Sequence, residues 1–359
     1  MKLIEVNVKK KTKSGIKNKN IKTYKDLKKK FKKVFQTGVF VSILLLISIE
    51  SYLWYLESNG YLVEPYEYGN RMDISYKINE CYNLFNKNEN KDKIKVIIIG
   101  DSRAETGFDP ALLDFFFDKK TISYNLAIFD SAVRFQSLII KKVIIPKLKP
   151  DIIIWEPTVP QDFTDDKLVY GPDERKLETP MGRYYTNNTK HLDFEDLCKY
   201  YLFKYSRLYR YRSNLRPNIL SINENDNAKI ESYKELFDRG FIGFDESLEP
   251  ENRNFTQESI DFKLDEEAKD IFFDTIEFIE KNTDYYLILN GPNRYTKFIS
   301  PVLDSIFNNF PQKNFLDLDG ETTFLYDYLW MDSNHLNNNG ALLFTEYIYT
   351  KINRNFKIN

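Results

Sequence analysis

Cysteine and histidine are the scarcest chemistry-bearing residues of this 359-residue chain, at two each: Cys81 and Cys198, His191 and His335. Two cysteines exclude a disulfide-scaffolded domain and a Cys-based zinc ribbon, and two histidines exclude a multi-His metal site. No metal and no cofactor is therefore expected. Glycine and proline number 13 each, too few for a collagen-like or linker-dominated chain. Long hydrophobic runs are also scarce, since one stretch alone is apolar enough to span a bilayer. What is plentiful is hydrophobic content, at 42%, with 25 Tyr and 28 Phe, enough for a sizeable core.

The formal net charge of −1 hides a split. Residues 1–33 hold 14 lysines, no arginine and two acids, Glu5 and Asp26, a balance of +12 that leaves −13 on the remainder. Such a tail cannot bury a core and is expected to be mobile. Val34 to Ile49 then carries no charge, and the apolar run reaches Leu56 with one acid, Glu50. These 23 residues would make a helix of about 34 Å, enough for a hydrocarbon core of roughly 30 Å. Lys28, Lys29, Lys30, Lys32 and Lys33 flank one end, and Tyr52, Trp54 and Tyr55 the other. That is a positive-inside flank and an aromatic belt. A signal peptide would need a shorter basic region and a better cleavage site than Ile49-Glu50-Ser51. A single-pass anchor over 34–56 is expected, with the N-terminus cytoplasmic and the rest extracytoplasmic. The lysines then attract anionic lipid, and no nucleic-acid partner is needed.

Residues 57–92 are polar and mixed and read as a stalk or linker. The folded domain, 93–359, is expected to open at Ile94, where a short apolar run ends at Gly100. Further buried-strand patterns fall at Thr121–Ile128, Asp151–Trp155, Asp284–Asn290 and Asn314–Leu318. Helical patterns fall near Pro110–Phe117, Ser131–Ile145, 261–281 and 340–354. Strands alternating with helices predict an α/β fold, a parallel sheet covered on both faces in three layers. The rhythm breaks over about 162–260, an aromatic, polar insertion with one helical segment near 194–212.

Two short motifs carry chemistry. Gly100-Asp101-Ser102-Arg103 follows the first strand, at the carboxyl edge where open α/β sheets place their sites. A serine at a strand-to-helix turn also serves as a plain helix cap. Asp332-Ser333-Asn334-His335 precedes the last helix, and an Asp three residues before a His can orient the imidazole as a general base. His191 lies in a polar loop and is given no role. Arg103 either binds an anionic substrate group or pairs with an acid such as Asp101, the commoner fate of arginines beside acids.

Together, strand–GDS near the start of an α/β domain and D-x-x-H before its last helix resemble the SGNH (GDSL-type) hydrolase superfamily, over residues 94–145 and 313–345. The resemblance implies an SGNH/flavodoxin-like sheet, Ser102 as nucleophile, and Asp332 and His335 as its triad partners. The family's N-x-G-x-x-G-like turn aligns with Asn125-Leu126-Ala127-Ile128-Phe129-Asp130, where both glycines are replaced. The oxyanion N–H of the second glycine would then come from Asp130. The family's G-x-N-D gives way to Glu156-Pro157-Thr158-Val159-Pro160-Gln161-Asp162. Gln161 is a candidate oxyanion donor there, and Asn290, at the end of the next strand, is another. The order of anchor, G-x-S, insertion and D-x-x-H resembles the membrane-anchored DltD-type branch.

Two function classes follow. One is an anchored serine acyl-ester hydrolase or O-acyltransferase for cell-envelope glycans or polymers. It would take an acylated small molecule or polymer and would have a membrane-bound acyl-transfer partner available to it. The other is a non-catalytic envelope protein that binds a glycan or a partner protein. The eroded motifs and the tyrosines of the insertion, Tyr200, Tyr201, Tyr205, Tyr209 and Tyr211, favour that second class.

Overall fold

The computed structural model describes residues 16–59, 62, 72–157, 180–187, 189–190, 192–212, 238–245, 256–259, 265–292, 294, 296–299, 304, 306–332 and 334–356. The chain divides into two compact units, Met1–Leu56 and Glu57–Asn359. The first holds most of helix α1 (Ile16–Ser58), whose stretch Asp26–Ser58 is long and apolar enough to cross a membrane. The lysine tail, expected to be mobile, is helical from Ile16 onward. Extending an existing helix adds one hydrogen bond per residue ordered, so an apolar helix draws its polar flank into register.

In the second unit a five-stranded sheet has the order β2-β1-β3-β5-β7, and every neighbouring pair is parallel. The strands are β1 (Ile94–Gly100), β2 (Thr121–Asn125), β3 (Ile152–Glu156), β5 (Tyr285–Asn290) and β7 (Phe315–Asp317). A separate parallel pair joins β4 (Thr256–Ser259) to β6 (Thr296–Ile299), which the sequence did not lead us to expect. The central strands are apolar on both faces because helices cover both. Ile97, Ile99, Ile153 and Trp155 point into one cluster; Val96, Ile98, Ile152 and Ile154 point into the other.

The first cluster is closed by α2 (Met72–Phe85), by α5 (Val133–Ile139) with its π-helical continuation Ile140–Leu148, and by α9 (Glu266–Asn282). The second is closed by α3 (Ser102–Gly107), α4 (Pro110–Phe116) and α10 (Asn338–Asn355). The insertion contributes α6 (Pro180–Thr186), α7 (Phe194–Tyr205) and α8 (Arg207–Arg210) among the described residues. Helix starts follow side-chain caps. Asp101, Asp109 and Asp265 accept backbone N–H groups at α3, α4 and α9, and Asn337 does so at α10.

The expected stalk, 57–92, needs correction where α2 falls within it. Ile74, Ile78, Cys81 and Phe85 of α2 are buried in the first cluster, each at most 3% exposed. Their spacing of four, three and four is a helical apolar stripe that the surrounding Lys, Asn and Glu residues obscure. Lys77 of the same helix is buried, forms an ion pair with Glu105 of α3, and donates to Ala127 O at 2.9 Å. Helix α2 is thus a structural layer of the domain.

Cys81 and Cys198 are both free thiols, the first buried and the second exposed. Burial pushes the Cys81 thiol well above its ordinary value. A thiol reagent should therefore modify Cys198 in the native protein and Cys81 only after unfolding. Modification of both thiols under native conditions would show that α2 does not belong to the core.

Candidate active site

The sheet places its carboxyl edge at a switch point. After β1 the chain goes to β2 on one side, and β3 lies on the other, so a crevice opens between the ends of β1 and β3. Gly100 and Glu156 are register partners there. A Cβ on Gly100 would lie 2.5 Å from Ala104 Cβ and 2.9 Å from Glu156 O, so glycine alone fits where β1 turns into α3. Asp101 caps that helix by accepting Arg103 N–H at 2.8 Å, which sets Ser102 as the first helical residue.

The second motif lies on a tight loop. Trp330 and Leu336 form an isolated antiparallel bridge, and Met331 N donates to His335 O at 2.9 Å. Asp332 Oδ1 accepts the N–H groups of Asn334 and His335, at 2.7 and 2.8 Å. Its other oxygen, Oδ2, lies 2.7 Å from His335 Nδ1. His335 Nε2 lies 2.9 Å from Ser102 Oγ. The structure thus joins Ser102, His335 and Asp332 in one hydrogen-bonded line, across 233 positions between serine and histidine. Partial burial works against ionisation of Asp332, but the N–H groups of Asn334 and His335 and the imidazole hold its carboxyl below the ordinary value. An ionised Asp332 accepts from Nδ1–H and leaves Nε2 as the acceptor facing the serine hydroxyl.

The other sequence-derived candidates fare unevenly. Asp130 sits at φ +56°, in the left-handed region where a glycine would be at ease and where Asp is one of the tolerated exceptions. Its turn is fastened to the serine strand: Ile128 N and Ser131 Oγ both donate to Gly100 O, at 2.9 and 3.1 Å. Gln136 Nε2 donates to Ser131 Oγ, and Trp155 Nε1 donates to Gln136 Oε1, tying the turn to β3. Asn290, at the end of β5, donates its side-chain amide to Asp317 of β7, at 2.9 Å. Gln161 and His191 lie outside the described residues. Of the five tyrosines of the insertion, Tyr200 and Tyr211 are buried, while Tyr201 and Tyr205 are exposed.

Arg103 has acids on two sides: Asp101 Oδ1 is 3.7 Å from its Nε, and Glu156 Oε1 is 3.9 Å from its Nη2. Glu156 is the residue that the sequence reading passed over. It ends β3 inside the crevice and is 1% exposed. Burial pushes its carboxyl up to about 7; Asp101 adds to the rise and Arg103 opposes it. The available signal was one acid closing an otherwise apolar strand, IIIWE. Asn125 supports the site from below, donating to Ala104 O and Phe108 O while accepting from Ala127 N.

No family model matches the chain, and the curated proteins searched give no match. Among solved structures it is similar to the acetylxylan esterase Axe2 of Geobacillus stearothermophilus. That enzyme is 11% identical, with a TM-score of 0.30, over 75% of this chain and 97% of that one. A catalytic mutant of the same enzyme gives 10% identity and a TM-score of 0.33 over 74% and 95%. A likeness this distant carries no statement about the activity of the present chain, which has to come from its own side chains.

The raised Glu156 makes a stability prediction. Between about 4.5 and about 7 the folded state holds a proton that the unfolded chain has lost, so this residue's contribution to stability falls as pH rises through that window. Glu156→Gln keeps the shape of the neutral acid and removes the cost of ionising it. The variant should gain stability over wild type across the window, by up to about 3 kcal/mol above pH 7 and little at pH 4.5. Denaturant unfolding at several pH values measures this, and a pH-independent difference would contradict it.

Proposed function

We propose that this protein is a membrane-anchored, extracytoplasmic serine acyl-ester hydrolase or O-acyltransferase acting on acylated cell-envelope polymers or glycans, in the manner of the DltD-type branch. The observation that carries the reading is the line Ser102 Oγ–His335 Nε2–His335 Nδ1–Asp332, with its two contacts at 2.9 and 2.7 Å. A serine hydroxyl is a poor nucleophile by itself. Within hydrogen-bond reach of an imidazole whose tautomer is set by a carboxylate, it becomes a competent one.

In the reaction, Ser102 Oγ attacks the acyl carbonyl as His335 Nε2 takes its proton. Asp332 stabilises the imidazolium that forms. The protonated His335 then gives the proton to the departing alcohol, leaving an acyl-serine. A second hydroxyl, from water or from a polymer, enters by the reverse sequence and frees Ser102. The Asp130 N–H, on the turn fastened to Gly100, is the proposed donor to the oxyanion.

The anchor supports placing this chemistry at the outer membrane face. An apolar helix flanked by a strongly basic N-terminal segment favours a cytoplasmic N-terminus. The basic segment would hold anionic lipid, and a membrane-bound acyl carrier or transferase is the partner that such a site would serve. A reporter active only outside the cytoplasm, fused after Asn359, should be active; activity of a cytoplasm-only reporter at the same position would reverse the topology.

A serine-directed fluorophosphonate should label the wild-type protein at Ser102 and fail to label Ser102→Ala. On an activated ester, Ser102→Ala and His335→Ala should each lower turnover by about 10³-fold or more, and the double variant should be no worse. Asp332→Asn should cost less than either. Absence of labelling in a folded wild type would leave a non-catalytic glycan- or protein-binding role in its place.

A further inference from the structure

Glu156 has a geometry that a structural glutamate does not need. It ends the central strand β3, beside the turn that carries Ser102, and is fully enclosed. Its Oε1 lies against the backbone of Gly291, where a Cβ would approach to 1.9 Å, so β5 gives way to make room for the carboxyl. Its Oε2 is buried and makes no hydrogen bond among the described residues. Among the described residues two charged groups face it, Arg103 and Asp101, both from the β1–α3 turn. Just past the end of β5 it meets the uncharged Gly291. A buried carboxylate with an orphaned oxygen is costly, whereas the neutral acid keeps a proton to donate.

We propose that Glu156 is a positioning residue for the Ser102 reaction, switching the charge of the Glu156–Arg103–Asp101 cluster beside the nucleophile by gaining or losing one proton. The inference rests on the serine reading above. With Glu156 neutral, it adds no charge beside the Arg103–Asp101 pair, where the oxyanion develops. Ionising Glu156 adds one negative charge there, which opposes the negative charge forming on the adduct of Ser102. The carboxyl that burial has raised to about 7 titrates where this matters. The rate of Ser102 acylation therefore falls as Glu156 ionises.

The test is the pH dependence of fluorophosphonate labelling of the full chain in detergent or vesicles, followed with an infrared titration of its carboxyl groups. Wild type should show a falling limb centred near pH 7, with a loss of about ten-fold or more, and a buried carboxylic-acid band that disappears at the same midpoint. Glu156→Gln should lack both the band and the falling limb. A falling limb that persists unchanged in Glu156→Gln overturns the inference. So does a wild-type infrared midpoint that differs from the labelling midpoint, a comparison that holds even if the variant fails to fold. If wild type never labels at any pH while the infrared band still titrates, the serine reading itself has failed and the inference falls with it. That outcome is distinct from labelling that proceeds without regard to Glu156.

Discussion

At Gly100 the first strand comes too close to its neighbours to carry a side chain. A Cβ there would strike both the helix that follows and the backbone of Glu156. This close approach decides how the carboxyl edge is built. It lets the chain turn within one residue into α3 and puts Ser102 at the start of that helix. It also leaves Gly100 O exposed to two donors, Ile128 N and Ser131 Oγ, so the turn holding Asp130 is fixed to the serine strand. The same contact sets Glu156 opposite, at the other lip of the crevice. The serine, the turn proposed to carry its oxyanion donor and the buried acid are thus all referred to one backbone position.

Two carboxyl groups around that edge are driven in opposite directions. Asp332 lies on a partly exposed loop, and its two oxygens share backbone N–H groups and an imidazole, which keep it ionised. Glu156 is sealed inside the crevice with a single cation at 3.9 Å, and burial dominates. Environment, not residue type, separates them. The supporting polar groups are also unequal in origin. Lys77 comes from a helix far outside the motif regions, yet it links α3, through Glu105, to the Ala127 carbonyl of the turn. Such buried polar links hold the two halves of the site in register, and they are costly to leave half made.

Local pattern and composition determined a good deal by themselves. The short apolar runs Ile94–Ile99, Thr121–Ile128, Asp151–Trp155 and Asp284–Asn290 read as strands buried on both faces. Their alternation with helical stretches required a parallel sheet. The G-D-S and D-x-x-H motifs named Ser102, Asp332 and His335, because a glycine after a strand and an acid three residues before a histidine are signals within a few residues. The single apolar run of the N-terminal region, with its lysine flank, needed no tertiary information either.

Tertiary structure alone decided what depends on contacts between distant segments. The α2 stripe Ile74, Ile78, Cys81, Phe85 looked like linker because its polar neighbours dilute it, and only packing on the sheet turns it into core. The bond from the Asn290 amide to Asp317 joins the ends of two strands that lie far apart in the sequence. The helical state of the lysine segment depends on propagation from the apolar helix beyond it. Glu156 shows in the sequence only as an acid closing an apolar strand, and its raised carboxyl comes from burial in the assembled chain. Burial and charge proximity are properties of the assembled chain, and a one-dimensional pattern records neither.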